Sequence, residues 1–521
     1  MEQQPEKKRP VRKPLDRDPR PPHPATVAAV QGRLLDPATA LVVEGVIPRP
    51  TVYVGPRLLV SKAVDVEGAI EVLRYVAEPL GWDVVPEEED PRTANLKFGY
   101  RPLRLVVASN RATIAPDAWT LLQQTRAQFG VAAVKGVGLD HLVVPAIEAN
   151  PMHDGHPMHD GHPMHDGHPA SEARSSRAVA TYFQVGTGGR QPVAYVGPAP
   201  QRRSDSAIPG SRPVVAILDT GCGNHPWLDG IVREDVTLDG QPIGYTDDTS
   251  VSPEDDGDQS GPLDGSIDPI SGHGTFIAGL IRQRCPDADI LSWRIMPSDG
   301  PVVESDLVAT LAQIAELARR HSAGEPGGHR IDVLSLSMGY YHETPEDELF
   351  DPTMYAILED LGRSGVVVVC SAGNDATSRP AFPAAFARWS DDAGPVPFDP
   401  AIAPIVSVGA LNPNRTDALF SNAGPWVRCF VEGAAVVSTM PAFRGGFEPV
   451  ARSRAFGRTR EAIDPDDFRG GFAVWSGTSF SAPVLAGDIA AALADLPDDP
   501  GAGRVERAWA AVSARTELRP S

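Results

Sequence analysis

The sequence lacks any run of about eighteen or more apolar residues, which argues against a membrane-spanning helix. It also lacks an apolar segment behind the early basic cluster Lys7, Lys8, Arg9, Arg12 and Lys13, so no secretory signal peptide is recognised. The expectation is a cytoplasmic protein with no membrane partner. Cysteine is scarce: Cys222, Cys285, Cys370 and Cys429 are the only four, and no two form a CxxC pair. A zinc ribbon or dithiol redox motif has nothing to be built from, and four free core thiols fit a reducing compartment. Cys370 closes the run VVVVC and reads as a buried thiol. Cys222, three residues after Asp219, reads as structural rather than reactive. Positive charge is in deficit, with 47 Lys and Arg against 68 Asp and Glu, so nucleic acid is not expected as a partner. What is present is length: 521 residues are enough for two or three domains.

Residues 1–25, polar and proline-rich, read as a disordered tail. RLLVSK (57–62), WDVV (82–85) and LRLVVA (103–108) read as strands, and a last strand falls within Val131–Val144. Residues 66–80 read as a helix with Ala69, Ile70, Leu73, Val76, Ala77 and Leu80 on one face. Residues 116–129 read as a second helix with Pro116 in its first turn. The order β-α-β-β-α-β predicts a small α+β unit of the ferredoxin-like type over 26–146. Residues 151–168 are three copies of PMHDGH, carrying His153, His156, His159, His162, His165 and His168. Histidine-rich tracts can bind zinc, nickel or copper. Three copies with Pro and Gly in each bury nothing, however, so 147–212 is read as an exposed linker with no assigned metal site.

From 213 the pattern changes. PVVAIL (213–218), ADILSWRI (288–295), IDVLSLSM (331–338), VVVVCSA (366–372) and IVSVGA (405–410) are short apolar runs suited to strands buried on both faces. Helical stretches at 273–284, 304–321 and 353–363, and one after Ser479, separate several of them. The alternation predicts a doubly wound, mostly parallel α/β sheet over 213–521. Right-handed crossovers place the strand C-termini on one rim, where ligands bind.

Four polar residues fall on that rim. Asp219 ends a strand and opens the turn DTG; His273 lies in SGHGT at a helix start; Asn374 follows VVVVCSAG; Ser479 lies in GTSFSAP at another helix start. A serine hydroxyl needs a base to take its proton, and the base needs a carboxylate to fix its tautomer. A side-chain amide and a helix N-terminus can meet the developing oxyanion. Singly, each residue has a blander reading as a turn, cap or left-handed residue. Together, in the chain order Asp, His, Ser, they point to nucleophilic catalysis.

The segments VVAILDTG (214–221), GHGTFIAG (272–279), SLSMG (335–339), SAGN (371–374), FSNAGP (420–425) and SGTSFSAPVLAG (476–487) resemble those of subtilisin-like (S8) serine peptidases, in family order over about 213–495. The resemblance implies a serine endopeptidase acting on protein or peptide substrates, with no cofactor needed for the chemistry. Asp219 would orient His273, His273 would act as general base and acid, and Ser479 would be the nucleophile. Asn374 and the Ser479 amide would form the oxyanion site. Ser335, Leu336, Ser337, Met338 and Gly339, with Ser371, Ala372 and Gly373, would pair with an extended substrate as an added strand. Asp375, beside Asn374, is the one hint toward a basic side chain near the scissile bond.

The chain also departs from the family. Phe276 replaces the usual second histidine of GHGTHVAG, FVEGAAVVST (430–439) carries Glu432 in place of Ala-Pro-Gly, and 441–472 reads as an insertion. Asp247, Asp248, Glu254, Asp255, Asp256, Asp258, Asp264 and Asp268 crowd one loop. Family members often hold structural calcium in surface loops, but this spacing matches no EF-hand, and a solvated loop is the preferred reading. By analogy with secreted members, 26–146 would be an inhibitory prosegment, with Arg174, Arg177, Arg202 and Arg203 as candidate cleavage points. Its alternative is a permanent accessory domain. For the whole chain, the alternatives are a peptidase dedicated to one processing or defence substrate, or a peptide-binding scaffold with an occluded site.

Overall fold

The computed structural model describes residues 17–145, 182, 189–245, 250–260, 263–297, 301–344, 353–446, 449, 451–497 and 503–520. The PMHDGH repeats with their six histidines, Arg174, Arg177, Asp247 and Asp248 lie outside the described residues. No described helix is long and apolar enough to cross a membrane.

The N-terminal unit runs α1 (Pro24–Ala29), β1 (Gly32–Leu35), β2 (Thr51–Ser61), α2 (Val66–Ala77), β3 (Trp82–Pro86), β4 (Tyr100–Val107), α3 (Ala118–Phe129) and β5 (Val137–Pro145). Its antiparallel sheet has the order β5-β2-β4-β3, with β1 paired to β2. The Asp65 carboxylate caps α2 by accepting from the Gly68 amide at 3.1 Å. α3 starts two residues later than the sequence suggests. Asp117, not Pro116, fixes its start, accepting from the Thr120 amide at 3.0 Å. Strand alternation decides which way each side chain faces. Leu58 and Val60 of β2 join the unit's own core with Ile70, Leu73 and Trp119, while Leu59 between them joins the core of the C-terminal unit.

The C-terminal unit continues with β6 (Gln191–Val193), β7 (Val214–Asp219), β8 (Val232–Arg233), α4 (His273–Arg284), β9 (Asp289–Arg294), β10 (Val302–Val303), α5 (Glu304–Ala323), β11 (Val333–Leu336), β12 (Met338–Gly339) and α6 (Thr353–Arg363). It ends with β13 (Val367–Ser371), β14 (Ile405–Leu411), β15 (Cys429–Glu432), β16 (Val436–Thr439), β17 (Arg452–Ala455), β18 (Arg458–Glu461), β19 (Phe472–Trp475), α7 (Thr478–Asp495) and α8 (Arg504–Arg515). The main sheet is parallel throughout, in the order β15-β14-β13-β11-β7-β9-β8. Ala216, Leu218, Leu334 and Leu336 pack toward α5 and α6; Val215, Ile217, Val367 and Val369 pack toward α4 and α7. The doubly wound α/β expectation therefore holds, with apolar strands covered on both faces.

Three stretches are more ordered than the sequence suggests. Within the tail, the carbonyl of Arg17 accepts from Thr377, and Asp18 pairs with Arg49 at 2.9 Å and Arg379 at 3.3 Å. Within the linker, β6 pairs antiparallel with β19, Arg202 pairs with Asp289, and Arg203 pairs with Asp287 at 2.7 Å. Arg202 and Arg203 are thus anchored to the C-terminal unit rather than presented as a free cleavage loop. In the insertion, Phe443 and Phe468 are core residues, while the β17–β18 hairpin carries mostly exposed side chains, with Phe456 fully exposed at its turn.

The two units meet along β5. Its Leu142 and Val143 pair antiparallel with β10, and its Val144 and Pro145 with β12. Asp140 of β5 caps α5, accepting from the Ser305 amide and hydroxyl at 3.0 Å each. Burial raises the Asp140 pKa to about 6, against the pull of Arg57 3.2 Å away. We expect Asp140→Ala to speed amide exchange at Ser305 by about tenfold, the equivalent of about 1.4 kcal/mol for a lost cap. Unchanged exchange would mean that the N-terminal unit does not cap this helix.

Candidate active site

β7 ends at Asp219, and α4 begins at His273. Asp219 Oδ1 takes the His273 Nδ1–H at 2.7 Å and the Thr220 amide at 2.8 Å, and both side chains are fully buried. The glycines beside His273 make this approach possible. Gly272 has φ +83°, and a Cβ there would lie 2.4 Å from Met440 Cε. A Cβ on Gly274 would lie 2.0 Å from the Gly221 carbonyl oxygen of the DTG turn.

Ser479 is the second residue of α7, where amides have no acceptor within the helix. Pro483, four residues on, has no N–H to give the Ser479 carbonyl. The Ser337 hydroxyl fills that role at 2.8 Å. In return the Ser479 hydroxyl donates to the Ser337 carbonyl at 3.2 Å, while His273 Nε2 is buried with no hydrogen-bond partner among the described residues. The Ser479 hydroxyl is therefore turned off the imidazole in this structure. Asn374 follows β13, and its Oδ1 accepts from the Thr478 amide and hydroxyl at 2.9 Å each. That fixes the amide so that Nδ2 is the end not tied to Thr478. Phe276 packs 4.6 Å from Phe480 and 5.7 Å from Trp475, and both of those rings also contact His273. The apolar wall expected from Phe276 is thus an aromatic cluster around the imidazole.

Residues 210–517, more than half of the chain, match the family model described as Subtilase family. The chain belongs to the subtilase family. The relatives it matches include the intracellular serine protease of Paenibacillus polymyxa, 24% identical over 291 residues, covering 53% of this chain and 65% of that protein. The major intracellular serine protease of Bacillus subtilis (strain 168) is 24% identical over 249 residues, covering 45% and 62%. Serine protease AprX of the same organism is 23% identical over 311 residues, covering 57% and 60%. The chain thus spans 65%, 62% and 60% of the length of these curated relatives.

This subtilase departs from the residue-by-residue expectation in its substrate strand. Ser335 and Leu336 belong to β11, which is hydrogen-bonded on both edges, to β7 and β13, so neither can take a substrate backbone. Ser371 pairs with Val408, and the Ala372 amide donates to the Val408 carbonyl at 2.9 Å. The Gly373 amide goes to Thr478 at 3.0 Å, and its carbonyl accepts from Asn422 at 3.0 Å. The backbone of 371–373 is therefore committed internally. Of the proposed strand, Ser337 holds Ser479, and Met338 and Gly339 present the edge that β5 occupies. The Asp375 carboxylate accepts from the Tyr341 hydroxyl at 2.5 Å, which weakens its claim as a free acidic selector.

Two groups were missed because nothing local in the sequence marks them. Glu254, counted with the acidic loop, turns inward and is fully enclosed behind the triad. It accepts from the Thr220 and Thr275 hydroxyls and, at 3.0 Å, from the Gly274 amide. Burial, with the Asp219 charge adding to it, raises the Glu254 pKa to about 7 despite those hydrogen bonds. Asp268 likewise accepts from the Gln259 and Ser260 amides, at 2.7 and 2.9 Å. Glu254 and Asp268 are thus committed to internal donors. Cys222 is held as an inert thiol, its pKa raised by burial and by Glu254 and Glu234.

The second group lies between the units. His141 of β5 meets Glu304 at 2.6 Å through Nδ1 and Glu343 at 2.7 Å through Nε2. His141, His342 and Glu343 are the one cluster of metal-ligating type among the described residues. Both nitrogens of His141 already face carboxylates, so the geometry is that of a buried ion-pair network.

Glu254 is the shared acceptor of the Thr220 and Thr275 hydroxyls and the Gly274 amide. We expect Glu254→Ala, which leaves these buried donors unpaired, to lower stability by about 2 kcal/mol in denaturant unfolding. An unchanged unfolding midpoint would show that Glu254 does not hold the turn beside His273.

Proposed function

We propose that this protein is a serine endopeptidase that cuts peptide bonds through an acyl-enzyme, and that its N-terminal unit holds the site closed. The observation that carries the peptidase reading is the buried 2.7 Å contact of Asp219 with His273, on the rim where Ser479 opens α7. With Nδ1 bound to Asp219, the imidazole keeps Nε2 as the free base. A rotation of the Ser479 hydroxyl away from the Ser337 carbonyl brings its proton to Nε2, and the oxygen attacks the scissile carbonyl. The resulting oxyanion meets the Asn374 amide and the N-terminal amides of α7. His273 then returns the proton to the leaving amine, and water repeats the sequence on the ester.

Inhibition is supported by where β5 lies. It occupies the Met338–Gly339 edge, which is the backbone an extended substrate needs as an added strand. The N-terminal unit reads as ferredoxin-like, supported by its β-α-β-β-α-β order and the sheet order β5-β2-β4-β3. The linker outside the described residues would be cut on activation.

The ion-pair network gives the docking a pH dependence. His141 faces Glu304, Glu343, His342 and the Tyr340 ring from the C-terminal unit, and Tyr53 across the β2–β5 pairing. Arg126 lies near enough to act on Glu343 and His342. Burial disfavours the His141 charge, but Glu304 and Glu343 outweigh it and raise its pKa to about 10. The Glu343 pKa is pushed below the usual carboxylate range by His342 and His141, against its own burial. The raised histidine stabilises docking fully below its free value near 6.5, and that contribution is lost as pH rises through about 10. The depressed carboxylate contributes above its free value near 4.5 and is lost as pH falls.

Two measurements follow. A fluorophosphonate probe should label the wild type and not Ser479→Ala; equal labelling of the two would overturn the peptidase reading. In Ser479→Ala cut within the PMHDGH repeats, the two halves should bind most tightly near pH 6.5, loosen toward pH 10 as His141 loses its proton, and loosen on the acid side, where burial holds the His342 pKa down to about 4 and opposes its protonation. His141→Phe should flatten the alkaline limb, and an unchanged limb would remove His141 from the docking.

A further inference from the structure

We propose that Arg190 is a positioning residue for His273, so that the segment after the PMHDGH repeats is a working part of the peptidase site; this rests on the peptidase reading above. Arg190 lies in the stretch read as linker, yet its guanidinium sits inside the C-terminal unit. Nη1 donates to the carbonyls of Asp268 and Ser271, at 2.9 Å each, with Pro269 at 3.5 Å, and Nη2 donates to Ile267 at 2.8 Å. These carbonyls line the turn that ends two residues before His273. The guanidinium also lies over the Trp475 ring at 5.0 Å and the Phe468 ring at 5.9 Å. Trp475 in turn meets the His273 ring edge-on, 5.8 Å between centroids at 84°. The next residues, β6, pair with β19, which ends at Trp475, four residues before Ser479.

One side chain therefore clamps the turn leading into the base, and its own strand secures the segment leading into the nucleophile. The demand is specific to arginine. Several carbonyls converge on one point under an aromatic face, and a planar fork of N–H donors serves them together, whereas a lysine ammonium lacks both the fork and the stacking plane. Burial lowers the Arg190 pKa to about 10, which keeps it charged at neutral pH.

The placement also constrains maturation. A cut within residues 146–189 breaks the covalent link to the N-terminal unit and leaves Arg190 and β6 continuous with the C-terminal unit. A cut at Arg202 or Arg203 leaves both on the N-terminal fragment, attached to the site only by their noncovalent contacts.

The test compares wild type, Arg190→Lys and Arg190→Ala, each as the full chain, by acylation rate with a fluorophosphonate per titrated site. A shift of about 1 Å in His273 predicts a loss of about 10²-fold for Arg190→Ala. Arg190→Lys should fall between, and added guanidinium should partly restore Arg190→Ala. With a peptide substrate the loss should appear in kcat rather than KM. The apparent pKa of the base should rise, since a buried cation behind Trp475 is gone. Folded variants that acylate at the wild-type rate with an unshifted pH profile would overturn the proposal, as would an active mature chain beginning after residue 190. If Arg190→Ala does not fold, Arg190→Lys decides by the same readouts. If the wild type is not labelled at all, the peptidase reading fails, and the His273 titration followed by NMR in Arg190→Lys still reports whether Arg190 positions the ring.

Discussion

A carboxylate and an imidazole, both closed off from water and 2.7 Å apart, set the terms for this protein. A buried ionised carboxylate is costly unless hydrogen bonds replace its solvation. Asp219 obtains that replacement at Oδ1, from His273 and Thr220, and Oδ2 has no hydrogen-bond partner among the described residues. Holding this contact requires a strand that ends at residue 219, a helix that starts at 273, and glycines where any Cβ would collide. Glu254 and the aromatic wall then enclose the pair, so the imidazole works in a medium where its charge matters most.

The same enclosure explains how the two units relate. An open β-edge at Met338–Gly339 is a template for any extended chain. In this structure β5 takes it, and the attached unit secures that strand by capping α5 through Asp140 and by the His141 ion pairs. Each of these contacts joins a group of one unit to a group of the other. Contacts away from β5, such as Thr51 to the Tyr341 carbonyl, Ser61 with Thr353 and Arg92 with Asp306, add to the same interface.

Much of this was legible in the sequence, and the reasons are physical. Strand and helix ends are marked by short motifs with glycines, so the positions of Asp219, His273, Asn374 and Ser479 at or just beyond such ends could be read from the sequence. Sheet register was less legible. SLSMG reads as one extended segment, but Ser335 and Leu336 are spent inside the sheet and only the residues after them reach the edge. Sequence also hides the direction a charge faces. Glu254 sits among surface-type acids yet points inward, and Arg190 and His141 owe their roles to partners more than seventy and more than one hundred and sixty residues away. Composition misled at 17–22, where a proline-rich stretch is pinned by Asp18 to two arginines.

The most direct test of the central claim is the acylation rate of Asp219→Asn against wild type, normalised to titrated Ser479. An asparagine keeps the shape but leaves His273 in the wrong tautomer. The account predicts a fall on the order of 10⁴-fold. An Asp219→Asn protein that acylates Ser479 as fast as the wild type would contradict it.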